Sequence, residues 1–93
     1  MKYYLGFNAK NIMSLVGPYT AIACPSGMTH VVFRADASPT FATHGEHFAA
    51  VMGPFRTKRA AIFTAETRPN PHVQTVADAE RIVKNINYQP QYV

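Results

Sequence analysis

The sequence predicts a small α+β fold, an antiparallel sheet of three or four strands with two C-terminal helices packed on one face. Three features carry that expectation. Short runs of aromatic and β-branched residues, bounded by Gly, Pro or Asn, fill the first half of the chain. Two later segments each open on a Thr and continue with apolar residues at helical spacing. Ninety-three residues leave room for one hydrophobic core and not for two, so a single domain is expected.

Lys2-Tyr3-Tyr4-Leu5-Gly6-Phe7 is aromatic-rich and suits a first strand, broken by Asn8 to Asn11. Ile12-Met13-Ser14-Leu15-Val16 fits a helical turn or a strand equally well, and Gly17-Pro18 stops it. Tyr19 to Cys24 is the second strand, Pro25-Ser26-Gly27 the turn, and His30 to Asp36 the third strand, which together make a hairpin. On the third strand Val31, Phe33 and Ala35 share one face, and His30, Arg34 and Asp36 the other. Val32 falls among the polar set, so that second face is expected to be partly wet. Ala37 to Gly45 has loop composition. Glu46 to Met52 is the last strand, expected to pair antiparallel with His30–Asp36, and Gly53-Pro54 closes it in a tight turn.

The first helix is expected over Lys58 to Glu66, with Thr57 as N-cap and Ile62 and Phe63 pointing inward. Thr67 to Gln74 is a connection containing Pro and Asn. The second helix runs from about Val76 to Asn85. Thr75 and Asp78 form a near capping box at its start, and Glu80 adds an acid close by. Val76, Ala79, Val83 and Ile86 fall on one stripe. Tyr88 to Val93 is a polar, aromatic tail suited to lying extended against the sheet.

The composition, 47% hydrophobic and 15% charged, is that of a folded chain. A net charge of +4 favours nucleic acid, anionic surfaces or acidic proteins as partners. Cys24 is the single cysteine, so no intramolecular disulfide forms and a reducing compartment is expected. Ala21-Ile22-Ala23 before Cys24 faintly resembles a leader-cleavage site, but Asn8, Lys10 and Asn11 interrupt the apolar stretch such a leader needs. No apolar run is long enough to cross a membrane. These features point to a cytoplasmic protein.

Catalytic constellations are weak. His44-Gly45-Glu46-His47 holds metal-type side chains, but at a loop-to-strand junction where Glu46 and His47 point to opposite faces. Cys24 would need His30 beside it to act as a nucleophile. Asp36, Glu46, Asp78 and Glu80 show no pairing suited to acid–base work, and no glycine-rich phosphate loop is present. The connection between the helices is about twice the three or four residues of a DNA-reading helix-turn-helix. The chain therefore reads as non-enzymatic, with no metal and no cofactor.

The binding signal lies at the start of helix one. Arg56, Lys58 and Arg59 crowd a helix N-terminus, where the backbone is already electropositive and a cation costs about 0.3–1 kcal/mol. Two explanations stand: the long side chains bend away into water, or they and the free N–H groups hold an anion together. The second makes Arg56, Thr57, Lys58 and Arg59, with Arg34 from the neighbouring strand, a site for a phosphate-rich ligand such as nucleic acid. The alternative is a protein partner, engaged through exposed aromatics and the tail residues Tyr88 and Tyr92.

Gly53-Pro54-Phe55-Arg56-Thr57-Lys58-Arg59-Ala60-Ala61, then Asn70-Pro71-His72, then Thr75-Val76-Ala77-Asp78-Ala79-Glu80-Arg81-Ile82-Val83-Lys84 resemble small uncharacterised proteins of tailed phages and prophages. The resemblance covers the C-terminal third. It implies a phage-type origin, action inside the host cell, and the roles such proteins take: host takeover or anti-defence, nucleic-acid accessory work, or a minor virion part.

Overall fold

The computed structural model describes residues 2–11, 19–23, 27–35, 47–67 and 70–88. Among them are four strands, β1 (Lys2–Phe7), β2 (Tyr19–Ala23), β3 (Thr29–Ala35) and β4 (Ala50–Phe55), followed by two helices, α1 (Lys58–Glu66) and α2 (Val76–Ile86). The strands form one antiparallel sheet in the order β2-β3-β1-β4, and both helices pack on one face, as expected for this α+β class.

The last strand departs from expectation in three ways. It spans Ala50–Phe55 and not Glu46–Met52, it pairs with β1 and not with β3, and Gly53-Pro54 lies inside it. The reason lies in β1, whose Tyr4, Leu5 and Gly6 are all buried, so that strand needs cover on both faces and takes a central place. Pro54 has no N–H to give a ladder and is tolerated on β4 because that strand lies outermost. Leu5 pairs with Met52 but Tyr3 pairs with Phe55, so the register shifts at Gly53-Pro54, a bulge with a cis peptide bond. Gly53 sits at φ +150°, and a Cβ there would stand 2.6 Å from the Tyr4 ring. The extra residue turns Phe55 toward the helices, where it is almost wholly buried.

The face of β3 expected to be partly wet is the one under the helices. Val32 is 1% exposed and His30 is buried, its Nδ1 accepting the Asn8 backbone N–H at 3.1 Å. Arg34, on the same face, emerges at the sheet's end. The main core joins Leu5, Ile22, Val32 and Phe55 to Ala61, Ile62, Ala79 and Val83. Helix α1 lies across all four strands with α2 beside it over β4, and its residues from Ala60 to Ala65 are all buried. Three of them are Ala, which permits the close approach. The buried Thr64 hydroxyl donates to the Ala60 carbonyl at 2.8 Å, so it carries no unmet hydrogen bond.

On the opposite face Val31 and Phe33 meet Tyr4 and Phe48. Phe48 stacks on Phe33 with ring centroids 5.3 Å apart, and its ring rests directly on Gly6, where a Cβ would overlap it. Val73 anchors the connection between the helices. Its backbone N–H donates to the Asn70 carbonyl, and the Asn70 side chain accepts from the His72 N–H.

Ile86 was expected on the inward stripe of α2 and is 57% exposed. Asn87 ends the helix in the left-handed conformation, and the Tyr88 N–H returns to the Val83 carbonyl. That reversal carries Tyr88, not Ile86, onto Phe63. The Ile12–Val16 segment, Cys24, the 37–45 loop and the end of the tail lie outside the described residues. No described helix is long and apolar enough to cross a membrane.

Candidate nucleic-acid interface

The bulged end of β4 delivers the chain straight into α1. Thr57 takes the cap role: extended at φ −125°, ψ 147°, its hydroxyl accepts the Ala60 N–H at 3.3 Å. The two N–H groups just ahead of the helix already have an anion. Glu80, projecting from α2, accepts the Arg56 N–H at 2.8 Å and the Thr57 N–H at 3.4 Å through Oε1. Glu80 is thus not an extra acid for its own helix start but the complement of the neighbouring one.

Those cations divide between two grooves. Arg56 and Arg59 line a groove of about 760 Å³ between the start of α1 and the outer face of α2, together with Arg81, Lys84 and Glu80. Lys58 and Arg34 line a smaller one of about 230 Å³ beside Tyr3 and Tyr19. The four expected cations, Arg34, Arg56, Lys58 and Arg59, therefore do not form one cluster. Arg59 lies in the first groove and its chain neighbour Lys58 in the second, because successive helical residues point about 100° apart.

Arg81 and Lys84 are the site residues missed at the helix-one start. Both were visible as basic positions three apart on helix two, but nothing local to either segment says that this face of α2 meets the entry to α1. Arg81 is well exposed and reaches Asp78 at 3.5 Å, a surface pair that leaves its charge largely available. Asp78 is mainly engaged elsewhere. The Gln74 N–H, then the Thr75 side chain and N–H, and least the Arg81 charge, hold its carboxyl below the ordinary range. The capping box with Thr75 is complete in both directions.

The residues proposed for a protein partner are placed differently. Tyr88 packs edge-on to Phe63, and its hydroxyl donates to the Glu66 carboxylate, so its ring is spent inside the fold. Tyr92 lies outside the described residues, as do His44, Glu46 and Cys24. His47 Nδ1 stands 3.4 Å from the Lys10 carbonyl oxygen. Among the described residues no group of three His, Cys, Asp or Glu side chains is placed to hold a metal ion. No family model, curated protein or solved structure matches this chain.

Proposed function

We propose that this chain is a non-enzymatic binding module that takes a phosphate-rich ligand, nucleic acid, in the groove between α1 and α2. The supporting observation is the convergence of Arg56, Arg59, Arg81 and Lys84 on one concave surface where Glu80, the one acid among the described lining residues, is tied to two backbone N–H groups. Four cations drawn from two helices and the loop before them favour a ligand with several phosphates in series over one isolated anion. The groove offers no built catalytic pair, so binding is the activity it suits. The resemblance of the C-terminal third to small phage and prophage proteins supplies the context, an accessory or host-directed factor acting inside the host cell.

Titration of labelled DNA with the protein and with the Arg59→Glu/Arg81→Glu variant tests this. Two reversed charges facing phosphate are expected to weaken binding by roughly 100-fold or more. A variant that binds as tightly as the parent overturns the proposal.

A further inference from the structure

We infer that two copies of this chain associate through the outer edge of β2, antiparallel about a two-fold axis at Ala21. The inference stands apart from the phosphate groove, which borders β4 at the other edge of the sheet. The two outer strands are built differently. On β4, Pro54 lacks an N–H and the bulge beside it breaks the regular ladder, so that edge is a poor template for a further strand. Strand β2 carries no such block. Tyr19-Thr20-Ala21-Ile22-Ala23 has no charge, Pro or Gly, and its five pairings with β3 run without a shift. Among the described residues no other segment hydrogen-bonds to its outer edge. Alternate backbone N–H and C=O groups of β2 are therefore directed outward.

The side chains of β2 suit a second copy of themselves. Ile22 is buried under the helices and Thr20 shares its side, while Tyr19, Ala21 and Ala23 are exposed on the other. Antiparallel pairing about Ala21 sets Ala21 against Ala21, Tyr19 against Ala23 and Thr20 against Ile22, so like faces meet and the interface is isologous. Each Tyr19 ring then covers the small Ala23 of the other copy, and the two rings do not collide. Charge favours the same register. Arg34 and Lys58 line the groove at the Tyr19 end of β2. Antiparallel pairing sends the two copies' cations to opposite ends of the interface, where a parallel one would bring them together. An edge of five residues makes a small interface, so the association is a concentration-dependent equilibrium.

Sedimentation equilibrium on the full chain, from micromolar concentrations to about 1 mM, tests this. The weight-average mass is expected to rise with concentration from that of one chain toward that of two. Ala21→Lys and Ala21→Glu each set like charges opposite one another, and each is expected to weaken self-association by about 10-fold or more. Both variants should keep the parent's circular dichroism spectrum, because Ala21 is exposed. An equimolar mixture of the two should recover the association, since an ammonium then faces a carboxylate across the axis. A parent that stays monomeric over the whole range overturns the inference. So do Ala21 variants that associate as the parent does, or a mixture no more associated than its components. None of these readouts involves nucleic acid, so failure here leaves the phosphate groove standing.

Discussion

The Glu80 carboxylate accepts the Arg56 backbone N–H at 2.8 Å, joining the middle of α2 to the entry of α1. This contact sets a carboxylate at a helix entry that also carries basic side chains. It also sets one acid into a groove that Arg56, Arg59, Arg81 and Lys84 line together with apolar residues such as Pro54 and Val76. Under the proposed function, stability and phosphate binding pull against each other at Glu80.

Replacing Glu80→Ala leaves the Arg56 and Thr57 N–H groups to water. The expected loss is about 0.5–1.5 kcal/mol, less than for a buried charged hydrogen bond because Arg56 is exposed. The same change removes the groove's acid, so DNA affinity is expected to rise severalfold. A urea titration and a binding curve on one preparation give both signs. A fall in affinity would separate Glu80 from the groove's electrostatics.

Asp78 makes the start of α2 sensitive to acid. Its folded carboxyl titrates below its unfolded value, because the charged form accepts N–H groups from Gln74 and Thr75. The stability it contributes is therefore complete above the unfolded value of about 3.8 and drains away as pH falls through the folded one. The gap in urea midpoint between the parent and Asp78→Asn is expected to be constant above about pH 5 and to narrow below it. A gap that persists unchanged in strong acid would contradict the cap's role. Thr75→Ala, at neutral pH, is expected to cost about 1 kcal/mol.

Gly6 and Phe48 form a coupled pair on the face away from the helices. A methyl group at Gly6 overlaps the Phe48 ring, so Gly6→Ala is expected to destabilise by about 1–3 kcal/mol in the parent. Phe48→Ala is expected to cost about 3 kcal/mol. With the ring gone, Gly6→Ala should cost almost nothing, and a double-mutant cycle reads that coupling directly. Additive losses would mean that Phe48 does not rest on Gly6.

What could be read from the sequence was what local chemistry decides. Thr57 and Thr75 announce their helices because a cap is a contact between residues three apart, and α1 falls on Lys58–Glu66 as expected. Strand β1 is likewise found at Lys2–Phe7. The β2–β3 hairpin is also found as expected, its two strands being joined by a short turn, but the pairing of β4 is long-range, and there the reading failed. Nothing within Ala50–Phe55 says that its partner is β1, although Pro54 marks it as an outer strand and the unbroken apolar run of Tyr4-Leu5 marks β1 as an inner one. The face of β3 holding Val32 was misjudged because one apolar residue between His30 and Arg34 looked isolated, while Ile22 and Leu5 beside it come from other strands. The candidate site was half legible for the same reason. Arg56 and Arg59 stood out against a helix start, but Arg81, Lys84 and Glu80 join them only through the packing of α2 beside α1.

The most direct measurement is the affinity for a DNA duplex across a series of salt concentrations. With four groove cations meeting phosphate, log Kobs is expected to fall linearly against log salt with a slope of about −3.6, and Arg59→Glu/Arg81→Glu should abolish the binding that produces it. A slope near zero, or one that the double reversal leaves intact, would contradict the groove as the site where phosphate is held.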